Sequence, residues 1–263
     1  VIRTVTTKLF RDSAEAFKRA LAAEMGCAPE DYQSHGLAIV GRPTASREPH
    51  LALATTCGAG SVLSVRDPRI GDWARQQQLK ANQRVFLPSF LENLAAYARE
   101  LGHEGAKAHS ASGGTVLAED LPARELPPGF ALRELSLSEQ EQLRAGGEFD
   151  NALGEPEERR RIAASRIAFA VVDPTGAPVA VTGIWDQYPG VDELGLDVLR
   201  TFRGNGFAAV LTIHATRWIR SQGRLPIYTY GFTNVRSMNN ALSCGYRPLW
   251  FIAPVYIPSD MTR

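Results

Sequence analysis

The sequence predicts an α+β protein in two domains. Three observations carry that prediction: short apolar or alternating runs bounded by Gly, Pro and Asn/Asp, apolar residues at helical spacing between them, and a turn-rich seam near the middle. The 263 residues exceed what one self-sufficient core needs and accommodate two domains of roughly 120 to 140 residues. The seam lies where Glu119-Asp120-Leu121-Pro122 and Leu126-Pro127-Pro128-Gly129 concentrate turn formers and remove amide donors. It divides the chain into domains 1–125 and 126–263.

In the first domain, Ser13 to Met25 repeats apolar residues (Ala16, Phe17, Ala20, Leu21, Met25) at helical spacing, and Asp12-Ser13 is the expected cap. Gly36 to Val40, Leu51 to Thr56 and Ser61 to Val65 suit strands of an antiparallel sheet. Pro68 to Gln78 and Leu87 to Leu101 read as helices, the second stopping at Gly102. This domain is therefore α+β.

In the second, Phe130 to Leu135 and Ile167 to Val172 read as strands, with helices over Ser138 to Arg144 and Glu155 to Ser165 between them. Within the latter, Glu155, Glu157 and Glu158 precede Arg159, Arg160 and Arg161, an order that stabilises a solvated helix. Asp173-Pro174-Thr175-Gly176 signals a tight turn, with Pro178 to Trp185 as the returning hairpin strand. Glu193 to Leu199 is the next strand, followed by a glycine-bearing loop and a helix from about Gly206 to Ser221, stopped by Gly223. Pro226 to Tyr230 is a strand, Asn234 to Cys244 a helix, and Tyr246 to Ile257 one or two closing strands.

Composition narrows the function. With 29 basic and 28 acidic side chains the formal net charge is +1, which gives no long-range field to gather phosphate backbones or anionic lipid. Nucleic acid and membrane are not expected partners. Apolar runs such as Ile252 to Ile257 are far shorter than the roughly 20 residues of a membrane span, and the first residues lack the order of a secretion signal, so a cytoplasmic location is expected. Cys27, Cys57 and Cys244 have no paired CxxC spacing and read as inert thiols; the five histidines never fall at HxxxH spacing, so no metal site is expected.

The chemistry concentrates in Val198-Leu199-Arg200-Thr201-Phe202-Arg203-Gly204-Asn205-Gly206-Phe207-Ala208, a strand running into a glycine turn and then a helix. Successive amides in such a turn converge on one concavity and the helix N-terminus adds its positive dipole end, so a diphosphate is held without many basic side chains. A dinucleotide fingerprint needs three glycines after a first strand and an acidic residue about 20 positions on, inside a parallel βαβ unit. Here the preceding strands form hairpins.

Arg203-x-x-Gly206-x-Ala208 resembles the R/Q-x-x-G-x-G/A coenzyme loop of the GCN5-related N-acetyltransferase (GNAT) superfamily. Asp192 to Val198 looks like the family's splayed fourth strand, Pro178 to Trp185 like its third, and Asn234-Val-Arg-Ser237 with Gly245-Tyr246 like the signature that closes the fold. The resemblance covers about residues 130 to 257, roughly half the chain. It implies a mixed, mostly antiparallel central sheet flanked by helices, with acetyl-CoA as co-substrate and no metal.

By that resemblance, the backbone of Leu196 and Val198 pairs with the pantetheine arm, and the Val198 amide or a near neighbour faces the thioester oxygen. Amides from Arg203, Gly204, Asn205, Gly206, Phe207 and Ala208 hold the diphosphate, and Asn234 orients the coenzyme arm while capping its helix. Many members protonate the leaving thiolate with a tyrosine in the last helix, but the matching residue here is Ala241. Ser237 matches branches that use a hydroxyl and is the leading acid, with Tyr228, Tyr230 and Cys244 behind it. For the base, Glu193 and Asp192 at the start of the fourth strand stand first, and Asp186 follows. Trp185, Tyr188 and Trp250 fit core packing better than an acceptor pocket.

The implied activity is direct transfer of an acetyl group from the CoA thioester to a primary amine of a small molecule or amino acid. The other reading is a coenzyme-binding regulatory or scaffold module that has lost turnover. Nothing in residues 1–125 reproduces the loop; Val65-Arg66-Asp67-Pro68-Arg69-Ile70-Gly71 lacks the second glycine. That domain resembles the degenerate acetyltransferase-like half of some relatives, whose expected work is to roof the acceptor cleft or to make a homodimer.

Overall fold

The computed structural model describes residues 7–47, 49–79, 81–155 and 162–258. In chain order the elements are α1 (Lys8–Met25), β1 (Leu37–Gly41), β2 (Ala52–Thr56), β3 (Ser61–Val65), α2 (Pro68–Gln76), α3 (Pro88–Glu100), β4 (Lys107–Ala108), β5 (Ser112–Leu117) and β6 (Ala131–Glu134). Then follow α4 (Leu137–Gly146), α5 (Asp150–Leu153), β7 (Ser165–Val172), β8 (Pro178–Tyr188), β9 (Val191–Val198), α6 (Phe207–Ser221), β10 (Leu225–Gly231), α7 (Val235–Ser243) and β11 (Tyr246–Tyr256).

Two compact units emerge, and neither is one stretch of sequence. Among the described residues, the first takes Ala14–Gly114, Tyr230–Thr233 and 248–258; the second takes Thr115–Thr229, Asn234–Arg247 and 7–13.

Helix α1 starts earlier than its apolar pattern indicates. Thr7 Oγ1 accepts the Phe10 amide at 3.1 Å and so caps it, while Ser13 is buried inside the helix. In the first unit, Phe17 and Met25 are fully buried, and the Phe17 ring lies 4.0 Å from that of Trp250.

The sheet of this unit runs β1-β3-β2-β11, with β4 also paired to β11. Strands β2 and β3 form the expected antiparallel pair, but β1 lies parallel to β3. Parallel pairing needs a long crossover, and here the chain from Arg42 through β2 supplies it. The buried Arg42 fastens that crossover, donating to the His50 carbonyl at 3.1 Å and the Ser64 carbonyl at 3.2 Å. Helices α2 and α3 cover the sheet through Ile70, Ala74, Leu91 and Leu94.

In the second unit β6, β7, β8 and β9 pair antiparallel in sequence order, and β10 joins β9 in parallel. The sheet is mixed and mostly antiparallel, as the resemblance implies. Its turn at Asp173 is built as expected: Asp173 Oδ1 accepts the Thr175 amide at 2.9 Å and Gly176 takes φ +88°.

Strand β7 is buried on both faces, and its alternation sorts the two layers. Ala168, Ala170 and Val172 pack with Phe149, Ala152 and Leu153 beneath α4 and α5, whereas the Phe169 ring stands T-shaped to His214 of α6, with centroids 4.5 Å apart. Helix α4 opens with a capping box of Ser136 and Glu139. Of the helix expected over Glu155 to Ser165, residues 156–161 lie outside the described residues, and with them all of the charged run but Glu155, while Ser165 already belongs to β7. Among the described residues no helix is long and apolar enough to cross a membrane.

Candidate active site

The site begins where two strands part. Pairing of β10 with β9 runs only through Leu225 with Val191, Pro226 with Asp192 and Ile227 with Glu193. Strand β9 continues to Val198, paired with β8 on its other side throughout. The edge of β9 over 194–198, about 16 Å at about 3.3 Å per residue, therefore runs beside β10 without ladder bonds to it. Such an edge demands water or a ligand that carries amides of its own. Leu196 and Val198 lie on it.

Beyond Val198 the chain makes a single 3₁₀ turn, Arg200–Phe202, and then the glycine bend. Gly204 at φ +88° and Gly206 at φ +79° sit in the left-handed region that side chains with a Cβ rarely adopt. Gly206 is the N-cap of α6 and has no side chain to offer, so the amides of Phe207, Ala208 and Ala209 begin a 15-residue helix uncapped. A Cβ placed on either glycine would meet nothing within 4 Å, so the bend is open on that side. Helix α6 thus presents bare amides and its dipole beside the mouth of the parted strands.

Side chains brace this bend. Arg203 donates from Nε to the Val198 carbonyl at 3.1 Å, and Asn205 donates from Nδ2 to the Phe202 carbonyl at 3.0 Å. Phe207 is buried with its ring 4.7 Å from Phe130, which also approaches Phe202 at 6.2 Å. Phe130 belongs to no motif, and its part in anchoring the bend had no signal in the sequence.

Ser237 sits on the first turn of α7. Asn234 caps that helix, its Oδ1 accepting the Ser237 amide at 3.1 Å. Ser237 is half-buried, and its hydroxyl donates to Tyr228 Oη at 3.0 Å. Tyr228 is the first β10 residue past the last paired position. Burial pushes its phenol up from the ordinary value of 10, against hydrogen bonds from Ser237 and Asn240 that pull it down. Cys244 is buried too, and desolvation raises its thiol. Tyr230, raised by the same cause, belongs to the other unit.

The candidate bases occupy different faces of β9. Glu193 accepts a hydrogen bond from the Thr229 hydroxyl, just beyond the closing point of the two strands. Asp192, one residue earlier, has no exposure at all; Arg224 donates to its Oδ1 from Nε at 2.7 Å, and Arg166 forms an ion pair with its Oδ2 at 3.4 Å without a hydrogen bond. Burial raises its carboxyl, against the pull of both guanidiniums. A carboxylate sealed from solvent and held by two arginines has no open side for an amine, so its place is structural. Arg224 also pairs with Asp186. Trp185 and Tyr188 are buried.

On the Glu193 face, Gly195 stands opposite Gly183 of β8, and α5 lies on that pair: a Cβ on Gly183 would come within 1.9 Å of the Ala152 carbonyl oxygen. Asp197 fastens the helix from below, accepting the Ala152 amide at 2.9 Å and Asn151 Nδ2 at 2.7 Å. Neither α5 nor this role of Asp197 was read from the sequence. The two partners lie 45 residues apart along the chain.

Among the described residues no cluster of three or more His, Cys, Asp or Glu side chains could hold a metal. What fold and site define is a mixed sheet with parted parallel strands beside an uncapped, glycine-entered helix.

Several solved structures similar to this chain are described as GNAT proteins. A GCN5-related N-acetyltransferase from Kribbella flavida shares 24% identity over 61% of this chain and 63% of its own, at a TM-score of 0.44. A GCN5-related N-acetyltransferase-like protein from Streptococcus suis shares 14% over 62% of this chain and 67% of its own, at 0.45. AAC(6')-Iy, solved with the bisubstrate analogue CoA-S-monomethyl-acetylneamine, shares 19% over 45% of this chain and 90% of its own, at 0.37. No family model and no curated protein matches the chain.

Proposed function

We propose that the chain is a GNAT-type N-acetyltransferase that moves an acetyl group from acetyl-CoA directly to a primary amine of a small molecule or amino acid. One observation supports this most: the unpaired edge of β9 leads straight into a bend whose left-handed glycines open onto the uncapped start of α6. An extended arm with amides and a diphosphate head fits those two features in that order. Acetyl-CoA as co-substrate supplies the activated acyl group and a thiolate leaving group.

The residues divide the work. Amides over Arg203–Ala208 hold the diphosphate, and backbone at Leu196 and Val198 pairs with the arm, the Val198 amide or a neighbour facing the thioester oxygen. Glu193, held by Thr229, takes the amine proton, and Ser237 returns a proton to the departing sulfur. Asp192 serves the closed end of the strand pair instead, with Arg224.

The test follows CoA-thiol release from acetyl-CoA across small amines, amino acids, aminoglycosides and peptides. Saturable release with at least one amine is expected. Saturable coenzyme binding with no release on any acceptor would favour a coenzyme-binding module, and no binding would end the proposal.

A further inference from the structure

We propose that the hydroxyl missing at Ala241 is supplied from the strand side: Tyr228 of β10 positions Ser237 and restores its proton when the leaving sulfur takes it. This rests on the acetyl-transfer reading above and assigns Tyr228 a role that the reading does not require.

Helix geometry brings the groups together. Ser237, Asn240 and Ala241, spaced three and four apart, share one face of α7. Tyr228 Oη meets that face at Ser237 Oγ, 3.0 Å away, with Asn240 Nδ2 at 3.5 Å. Asn240 is itself fixed by donating to Thr212 Oγ1 of α6 at 2.8 Å. The tyrosine backbone is pinned as well, since Thr115 Oγ1 of β5 donates to its carbonyl at 2.9 Å. Three elements thus hold a phenol against a serine.

Location gives the pair its use. The diphosphate end of an arm lying along β9 belongs at the α6 bend, so its sulfur end points to where β9 and β10 close, and Tyr228 is the first β10 residue past that closure. The phenol is buried and stays protonated through the neutral range. The other titratable groups bearing on it are Cys244, Asp197 and Tyr246, the last with its ring 6.2 Å away.

The step balances. The amine nitrogen bonds to the carbonyl carbon and gives up a proton to Glu193, and the C–S bond breaks with its electron pair going to sulfur. Both hydroxyls rotate, as hydroxyls do. The Ser237 proton passes to sulfur, the Tyr228 proton passes to Ser237 Oγ, and the phenolate, facing Asn240 Nδ2, regains a proton from water as product leaves. Ser237 touches the reacting atom; Tyr228 acts through it.

The experiment needs no acceptor. Titration calorimetry measures the affinity of CoA and of desulfo-CoA, which lacks only the sulfur, for the whole chain and for Tyr228→Phe and Ser237→Ala at about pH 10, where the alkyl thiol of CoA, less acidic than a cysteine thiol near 8.5, is substantially ionised. Wild type is expected to bind both and to prefer CoA about tenfold, on the order of one charge-assisted hydrogen bond. Both variants should keep desulfo-CoA affinity and lose most of that preference. A tyrosine that merely supports the fold would weaken both ligands alike. Equal wild-type affinities, or a preference untouched in Tyr228→Phe, would overturn this inference alone. Failure of wild type to bind either ligand would overturn the coenzyme reading beneath it.

Discussion

Arg224 donates from Nε to the fully buried Asp192 at 2.7 Å while its Nη2 pairs with Asp186, so one guanidinium ties the start of β10 to β9 and to the end of β8. The pairing of β9 with β10 occupies only the three positions beside this clamp. The clamp therefore sets where the strands close, and on the proposed reading how far the coenzyme arm reaches between them. Arg224→Met leaves Asp192 as a buried carboxylate facing only Arg166, and breaking a buried pair in this way costs roughly 3–5 kcal/mol. Urea denaturation should show that loss in the midpoint with an unchanged slope. A variant as stable as wild type would mean the closed end does not depend on this arginine.

The sequence reveals whatever a single position must satisfy by itself. Gly204 and Gly206 were legible because their backbone angles admit little else, and Asn234 because a cap acts three residues away. The hairpin at Asp173 was legible for the same reason. What failed to show were relationships between distant positions. Arg224 reaches partners 32 and 38 residues away, and nothing in its own neighbourhood marks it. Asp192 and Glu193 look alike as adjacent strand-end acids; only alternation across the sheet, with α6 on one face and α5 on the other, seals one and leaves the other beside the gap. The parallel setting of β1 against β3 was hidden likewise, because a strand's own pattern records which face is buried and not which way its neighbour runs.

Gly183 and Asp197 seat α5 on the sheet beside Glu193. Gly183→Ala forces a methyl into the Ala152 carbonyl, so the helix must lift, at a cost of about 1–3 kcal/mol. Asp197→Ala removes two acceptor contacts without crowding. Both should raise KM for the amine found by the screen by several-fold while leaving CoA affinity within about twofold, since the glycine bend proposed to hold the diphosphate is untouched. Equal loss of CoA affinity would show that α5 supports the coenzyme rather than the acceptor side.

At the bend, conformation and space make opposite demands. A side chain at Gly206 has room, yet φ +79° is strained for any residue with a Cβ, by roughly 1–2 kcal/mol and more when β-branched. Gly206→Val should therefore turn the bend and lower CoA affinity by at least about tenfold with circular dichroism and unfolding cooperativity retained. Gly206→Asn, which tolerates the left-handed region, should fall between the two. Wild-type affinity in the valine variant would show that the diphosphate is held elsewhere.

Helix α6 also carries a pH-sensitive contact. His214 stands T-shaped to Phe169 with ring centroids 4.5 Å apart, and burial, with Arg217 adding to it, lowers its pKa below the ordinary 6.5. The folded state thus binds this proton less readily than the unfolded chain does. Stability from His214 is complete above 6.5 and is lost as the pH falls through and below that value. Urea midpoints should drop between about pH 7 and pH 5, and His214→Gln, which cannot titrate, should flatten that limb. Because α6 begins at the glycine bend proposed to hold the diphosphate, CoA affinity measured across the same range should weaken more steeply in wild type than in the glutamine variant. Parallel profiles would place the acid sensitivity in other groups.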